Sequence, residues 1–330
     1  MAVRTTRLAV FSLASLFCIA DALAQNDEPL VSIIPRARPG ADIAYAAFPK
    51  ADLRVDVPLI LIPVHVTTPL GTSITNLRQE NFRLFEDGAE QTIANFAKED
   101  APASVGLVFD TSGSMHNKIN KSAEAAAAFF KIANPEDEFF LIEFNEKPKL
   151  SVPFTRDSDD VLHRIARAHT YGRTSLLDAI HLALVQMKQA HNLRKAIVIF
   201  SDGGDNRSRY NEREVREALL ESDVQLYAMG IFGLDDSDKP SREELDGPRL
   251  LTELAAETGG KHFPVDNLED LPKVCDRIGK ELRNQYMLGY LSTNGDRDGR
   301  YRHIKVVLAP AQNATPMKPY YRQGYYAPTQ

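Results

Sequence analysis

The chain has 330 residues, of which 43% are hydrophobic and 25% charged, so it has enough apolar material for one large or two smaller globular domains. Its formal net charge of −6 gives no electrostatic basis for binding nucleic acid or an anionic membrane surface, and no local basic patch offsets it. We therefore expect neither kind of partner.

The first 24 residues have the pattern of a signal peptide. Arg4 and Arg7 precede an apolar run over 8–20, and Ala22-Leu23-Ala24 matches a small-residue cleavage site. The run is too short to span a bilayer comfortably, and no later stretch is long and apolar enough to do so. The pattern predicts removal of residues 1–24 on export to the periplasm or the cell exterior, and 25–52 are expected to form a flexible leader.

The segment 53–100 is typical of antiparallel β structure. Its stretch RVDVPLILIPVHVTT is strand-like, and Pro58 and Pro63 indicate an edge or bulged strand. Residues 81–96 predict a hairpin, because Asp87-Gly88 is a strong signal for a two-residue turn.

The segment 103–286 instead alternates short apolar runs with helical periodicities. This alternation predicts a doubly wound, mostly parallel α/β sheet with helices on both faces. Leu150–Val152 is expected to pair back onto the preceding strand and to end at Pro153. The other expected strands are 105–110, 139–144, 195–201, 224–231 and 261–265, and the expected helices are 118–133, 157–168, 175–190, 211–222, 248–258 and 268–285.

Patterns of β type return over 287–330, where Ile304, Val306 and Leu308 alternate as in a half-buried strand. A few isolated strands cannot bury a core of their own. Our hypothesis is that the β segments 53–100 and 287–330 pair into one discontinuous module, with the α/β domain inserted between them.

Cys275 is the only cysteine left after removal of the signal peptide, so no intrachain disulfide can form. It lies on the apolar stripe of the last predicted helix, together with Leu271, Ile278 and Leu282. We therefore predict a buried structural thiol.

Oxygen-bearing side chains follow the predicted parallel strands. Asp110, Ser112 and Ser114 come directly after the first strand, Thr174 precedes a helix, and Asp202 follows the strand KAIVIFS. In an open α/β sheet, ligands bind outside the carboxyl ends of the strands. Carboxylates and hydroxyls are ligands for a hard cation such as Mg²⁺, and the lack of a Cys or His cluster disfavours zinc.

Two other interpretations of the same residues remain. Asp110 and Asp202 also suit strand ends, and Ser114 and Thr174 are common helix caps. A nucleophilic serine is disfavoured, because Asp110 stands where the first glycine of a G-x-S-x-G elbow belongs before Ser112.

Helices starting after Ser114 and Thr174 would turn positive N-terminal ends toward the site, which favours an incoming carboxylate.

The set Asp110-Thr111-Ser112-Gly113-Ser114, Thr174 and Asp202-Gly203 resembles the metal-ion-dependent adhesion site (MIDAS) of von Willebrand factor A (VWA) domains. The resemblance covers roughly 103–286. It implies Mg²⁺, with Mn²⁺ or Ca²⁺ as alternatives, bound by Ser112, Ser114 and Thr174 and by Asp110 and Asp202 directly or through water. It also implies a protein partner that presents Asp or Glu to the metal. The flanks resemble those of exported bacterial VWA proteins of acidobacterial type.

The function expected first is therefore non-enzymatic, metal-dependent protein binding of the cell-adhesion type outside the cytoplasm. One alternative is a metal-assisted hydrolase, disfavoured because no histidine lies within the three motifs. Another is a structural envelope subunit in which a metal stabilises the fold. A long acidic loop, 233–247, follows a parallel strand, and we hypothesise that it influences which partner can approach.

Overall fold

The computed structural model describes residues 59–98, 100–232, 242–309 and 316–329. Its strands are β1 (Leu59–Thr67), β2 (Phe82–Glu86), β3 (Ala89–Gln91), β4 (Ile93–Ala97), β5 (Ala103–Asp110), β6 (Glu138–Phe144), β7 (Pro148–Thr155), β8 (Arg194–Ser201), β9 (Val224–Ile231), β10 (His262–Val265), β11 (Gln285–Leu291), β12 (Tyr301–Leu308), β13 (Lys318–Tyr320) and β14 (Gly324–Tyr326). Its α-helices are α1 (Ile119–Phe130), α2 (Ser158–Ile165), α3 (Leu176–Met187), α4 (Glu212–Glu221), α5 (Arg242–Glu257) and α6 (Leu271–Arg283).

The central sheet has six strands in the order β10-β9-β8-β5-β6-β7. All neighbours are parallel except β6 and β7. Side chains of α1, α2 and α6 pack on one face, and those of α3, α4 and α5 pack on the other. All eight residues of β5 are buried, as expected for a central strand covered on both faces. The predicted doubly wound α/β fold is therefore confirmed.

The two β segments pair with each other around this domain. β1 is hydrogen-bonded to β11 in antiparallel register, and β12 is hydrogen-bonded to β2. The strands form two four-stranded sheets, β13-β1-β11-β4 and β14-β12-β2-β3. Their apolar faces share one core, in which Ile62, Val64, Leu84 and Leu288 are fully buried. Strands before and after the α/β domain thus complete each other's core, as our pairing hypothesis requires.

A buried carboxylate links the two sheets of this β module. Glu86, the last residue of β2, accepts hydrogen bonds from the hydroxyls of Tyr290 and Ser292 at 2.6 Å each and of Tyr325 at 2.9 Å. All three donors lie more than 200 positions along the chain from Glu86. A buried charge is tolerated where several donors satisfy it, so this cluster fixes the two halves of the module to each other.

The chain segments that lead into and out of the α/β domain lie side by side. β4 leads into the domain and β11 leads out of it, and the two strands are antiparallel neighbours with Met287 opposite Ala97. At the same junction Arg283, the last residue of α6, contacts Asp100 at 3.0 Å and Asp137 at 2.5 Å. Asp100 precedes β5 and Asp137 precedes β6, so this junction lies at the amino-terminal edge of the parallel strands.

Two prolines lie within strands because each is at a position where one side of the strand is not paired. The expectation that Pro153 ends its strand is wrong, because β7 continues to Thr155; β7 is the edge strand, where a missing N–H is tolerated. Pro63 lies in β1, which has β11 on one side, while β13 covers only His65–Thr67 on the other. Pro63 is therefore in the part of β1 that is an edge, as expected.

The predicted hairpin is present, and Asp87 and Gly88 both have positive φ, 47° and 85°, as a tight two-residue turn requires. Cys275 is buried, with its Sγ 3.4 Å from Met229 Sδ, so the predicted structural thiol is confirmed. Burial raises the pKa of this thiol well above its ordinary value.

Several predictions fall outside the described residues. These are the signal peptide 1–24, the leader 25–52, the start of the first β segment at 53–58 with Pro58, and residues 233–241 of the acidic loop. The end of that loop lies inside α5, which starts at Arg242, before the predicted residue 248. Within the described part of the chain, no helix has the length and apolar character needed to cross a membrane.

Candidate metal centre

The three predicted motifs lie at one edge of the central sheet. Asp110 is the last residue of β5, and Ser201, just before Asp202, is the last residue of β8. β5 and β8 are parallel neighbours, so their carboxyl ends meet at this edge. Thr174 lies in the loop before α3. The structure thus brings these segments together at the edge where open α/β sheets bind ligands.

Asp110 is fully buried, and its carboxylate is fixed from two sides. The backbone N–H of Ser112 donates to Oδ1 at 2.8 Å, and the hydroxyl of Ser201 donates to Oδ2 at 2.6 Å. Burial, and after it the charge of Asp202, raises the pKa of Asp110 to about 7, against the hydrogen bonds from Ser112 and Ser201, which lower it. Two carboxylates therefore share a dry site in which their negative charges repel each other.

The two serines of the first motif have adjacent hydroxyls, with Ser112 Oγ 3.1 Å from Ser114 Oγ. Ser112 is buried and Ser114 is exposed, so the pair extends from the interior to the surface. The buried side chain of Met115 fixes the short turn that carries them, Gly113–Met115. The first motif therefore offers two hydroxyl oxygens and a carboxylate at neighbouring positions.

The loop that carries Thr174 is hydrogen-bonded to both other loops, and Thr174 itself is bonded to Asn206. Its N–H donates to Asn206 Oδ1 at 3.0 Å, and the N–H of Asn206 donates to its carbonyl at 3.1 Å. Upstream in the same loop, Tyr171 N–H donates to the carbonyl of Thr111, and the N–H of Gly113 donates to the carbonyl of Gly172. The three loops are thus cross-linked, and Thr174, which is buried, is held at a fixed place among them.

Asp202 is the second buried carboxylate. Its Oδ1 accepts a hydrogen bond from Gly204 N–H at 3.3 Å, and its Oδ2 lies 3.4 Å from Lys118 Nζ. Gly203 has a φ of +82°, and a Cβ on Gly247 of α5 would lie 2.7–2.9 Å from the backbone of Gly203 and Asp202. Two glycines are therefore required where α5 packs on this loop.

Sequence reasoning missed four side chains around the site. Ser201 and Asn206 orient Asp110 and Thr174, and Lys118 pairs with Asp202. Asp205, three residues after Asp202, accepts a hydrogen bond from the N–H of Leu177 and so caps α3.

The helix N-termini differ from the expectation. Ser114 lies in a single short turn, and α1 begins only at Ile119. At α3, the N–H of Leu177 donates to Asp205 Oδ2 at 2.8 Å, and the N–H of Asp178 donates to Ser208 Oγ at 3.0 Å. Two N–H groups of the first turn of α3 are thus already satisfied by side chains of this chain, which weakens the attraction of this helix end for an incoming carboxylate.

One histidine lies beside the site although none lies within the motifs. His116 Nδ1 is 3.2 Å from Thr170 Oγ1, and the contact joins the first loop to the second. The ring is exposed and is two residues beyond Ser114. In this position it acts as a further tie between the loops.

The donor set fits a hard divalent cation. Its residues offer two buried carboxylates and three hydroxyls, the oxygen ligands that Mg²⁺ prefers. Among the residues that the structure describes, no group of three or more His, Cys, Asp or Glu side chains is placed to hold a metal. Hydroxyl oxygens are hard ligands, unlike the sulfur and imidazole ligands typical of zinc sites.

The fold and the site define a class: a doubly wound α/β domain with carboxylate and hydroxyl side chains at the carboxyl edge of its sheet. Residues 105–204, from β5 through the Asp202 loop, match the family model of the von Willebrand factor type A domain. The match supports a VWA domain over this part of the chain.

Relatives of the chain are distant. It is 24% identical over 188 residues to an uncharacterised protein of Borreliella burgdorferi, covering 51% of this chain and 55% of that protein. It is 28% identical over 163 residues to mouse inter-alpha-trypsin inhibitor heavy chain 4, covering 43% of this chain and 17% of that protein. The match thus spans about half of one relative and a sixth of the other.

Among solved structures, the chain is similar to a von Willebrand factor type A protein from Catenulispora acidiphila, with 11% identity and a TM-score of 0.48. That match covers 74% of this chain and 73% of the other. It is also similar to the vWF domain of the type V pili tip protein Mfa5 from Porphyromonas gingivalis, with 12% identity and a TM-score of 0.44, covering 55% of this chain and 95% of the other.

Proposed function

We propose that this protein is an exported, non-enzymatic binding module that recognises a protein partner through a divalent cation. The ion is Mg²⁺, or Mn²⁺ or Ca²⁺ in its place, and Asp110, Ser112, Ser114, Thr174 and Asp202 would hold it. When bound, the ion supplies a Lewis-acidic coordination position for a carboxylate of the partner. Export rests on the signal-peptide pattern of residues 1–24.

The observation that carries the proposal is the buried pair Asp110 and Asp202 beside the hydroxyls of Ser112 and Ser114. In the absence of a cation, burial and the charge of Asp202 raise the pKa of Asp110, so the site is electrostatically unfavourable as two free carboxylates. A divalent ion would remove that repulsion. A structural role alone does not account for two carboxylates placed together at the ligand-binding edge of the sheet.

The hydroxyl ligands explain why a partner carboxylate is favoured. Ser112 and Ser114 contribute oxygen without charge, so this chain supplies at most two negative charges, and Lys118 offsets part of them. The ion therefore keeps an attraction for an external anion. A partner's Asp or Glu is the protein ligand of matching hardness and charge.

Calorimetric titration of Mg²⁺ and Mn²⁺ into the full chain tests the metal site. We expect the wild type to bind and Ser112→Ala to bind at least tenfold more weakly, because one ligand is lost. Ser104→Ala is the matched control, because Ser104 is also buried but lies near the start of β5, where its hydroxyl donates to Glu138. Absence of metal binding by the wild type would refute the proposal.

Binding of a protein is tested by affinity capture from envelope extract, with two baits used under three parallel conditions. The same protein should be retained by the wild type in Mg²⁺ and lost in EDTA, and it should not be retained by Ser112→Ala in Mg²⁺. Capture that is independent of both the ion and Ser112 would instead support a structural subunit.

A further inference from the structure

We propose that Lys118 is a built-in counter-cation of the metal site, which weakens binding of the divalent ion and strengthens binding of the carboxylate that the ion receives. This inference rests on the proposed function, because it concerns how the same site is tuned. Neither the sequence motifs nor the similarity to other VWA domains assigns a role to this lysine.

The main chain of Lys118 is held in place. Its N–H donates to the carbonyl of Met115 at 2.9 Å, and its own carbonyl accepts from both the N–H and the hydroxyl of Ser122 at 3.0 Å. The residue precedes the first turn of α1, so the start of a helix carries it. Its Cα is therefore fixed relative to the loop of Ser112 and Ser114, and its side chain has a defined origin.

The side chain is directed into the site and not into solvent. It is only 12% exposed, and its ammonium lies 3.4 Å from Asp202 Oδ2, which belongs to a carboxylate that is 4% exposed. Charges this sheltered are screened less by salt than surface pairs, so their interaction acts over the whole site. A surface lysine with a solvated ammonium would have no such effect.

The distance indicates a counter-ion and not a locked ion pair. Charge-assisted N–H···O bonds between groups that are fully engaged measure about 2.7–2.9 Å, whereas Lys118 Nζ lies at 3.4 Å from Asp202 Oδ2. One ammonium can offset one of the two buried carboxylates, which leaves a net negative charge for a divalent ion. Asp202 is thus partly satisfied before the metal binds and remains able to coordinate it.

Lys118 changes the affinities for the divalent ion and for the partner's carboxylate in opposite directions. Lys118 repels a divalent ion and competes with it for Asp202, so the ion binds more weakly in its presence. Once the ion is bound, the same positive charge adds to the attraction for an incoming carboxylate. A lysine that served only to stabilise the fold would change both affinities in the same direction or neither.

The test compares the wild type with Lys118→Met, which keeps the length of the side chain and removes the charge. Lys121→Met is the control, because Lys121 lies on α1 and pairs with Glu124 and Glu269, away from the site carboxylates. Mn²⁺ affinity is measured by calorimetry, and acetate binding to the Mn²⁺-loaded protein by water proton relaxation. We expect Lys118→Met to bind Mn²⁺ at least tenfold more tightly and acetate several-fold more weakly, with Lys121→Met like the wild type.

Unchanged or weaker Mn²⁺ binding by Lys118→Met would overturn the inference, and so would tighter acetate binding. Lys118→Gln retains a hydrogen-bond donor for Asp202 without the charge, and it gives the same signs should the methionine variant fail to fold. Lys118→Arg keeps the charge and should retain wild-type values. If the wild type itself binds no Mn²⁺, the proposed function fails. If the wild type binds Mn²⁺ but Lys118→Met and Lys118→Gln do not bind it more tightly, only the role of Lys118 fails.

Discussion

Replacing Asp110 by asparagine should stabilise the metal-free protein while it abolishes metal binding. The pKa of Asp110 is about 7, against 3.8 for an ordinary aspartate, because the carboxyl group is buried and faces Asp202. At roughly 1.4 kcal/mol for each pH unit, ionising Asp110 in the folded state costs roughly 4 kcal/mol. Asparagine has nearly the same shape and keeps an oxygen for the N–H of Ser112, so it avoids this cost.

The raised pKa of Asp110 makes the stability of the wild type fall as pH rises, within a defined range of pH. Below about pH 4, Asp110 is protonated in the folded and the unfolded protein, so its raised pKa has no effect on stability. Between about pH 4 and 7 the unfolded chain loses the proton while the folded protein keeps it, so stability falls as pH rises. Above about pH 7 both states are ionised and the loss reaches a plateau.

Urea denaturation in EDTA at several pH values measures the effect as the difference in unfolding free energy between Asp110→Asn and the wild type. That difference should grow by several kcal/mol from pH 4 to pH 7 and then level off. Mg²⁺ should raise the stability of the wild type and leave the variant unchanged. Asp137→Asn, at the opposite edge of the sheet, is the control; it weakens the contact with Arg283 and should destabilise. A difference that does not vary with pH would refute the reasoning.

Two further substitutions separate the β module from the metal site. Glu86→Ala leaves the hydroxyls of Tyr290, Ser292 and Tyr325 without their acceptor and should lower the unfolding free energy by about 3–5 kcal/mol. Its Mg²⁺ affinity, measured without urea where the variant is folded, should equal that of the wild type; equal stability of the two proteins in urea would contradict the structural role of this cluster. Gly247→Ala should weaken Mg²⁺ binding at least tenfold, because its Cβ would lie 2.7–2.9 Å from backbone atoms of the Asp202 loop, even though alanine favours a helix by about 1 kcal/mol. Gly295→Ala is the control, because a Cβ at Gly295 meets nothing within 4 Å, and wild-type affinity in Gly247→Ala would disprove the contact.

The sequence was sufficient to predict the fold and the placing of the site. Asp110 and Asp202 follow apolar runs directly, and the topology of parallel strands fixes where their carboxyl ends meet. The metal role of these residues stays a prediction. The limit of β7 was predicted wrongly, because Pro153 ends a strand only where both sides are paired, and the edge position of β7 is a property of the whole sheet.

The supporting residues could not be predicted, because their partners are far apart in the chain. Asp205 caps α3 across 28 positions, and Lys118 meets Asp202 across 84. Nothing in local spacing tells which carboxylate a lysine faces or which helix end an aspartate satisfies. The packing of Gly247 on Gly203 was hidden for the same reason, since α5 had been predicted to begin one residue after Gly247.

The adjacency of β4 and β11 has a mechanical consequence. If a ligand held at the carboxyl edge were pulled away from the β module, the force would pass from the α/β domain to that module through two chain segments. One lies before Ala103 and the other after Arg283. Each connection would carry only part of the load, and neither could be extended without shearing the hydrogen bonds that join it to the other. A domain inserted in this way is not pulled from one terminus alone, whereas a domain joined by a single linker transmits the full force through one segment.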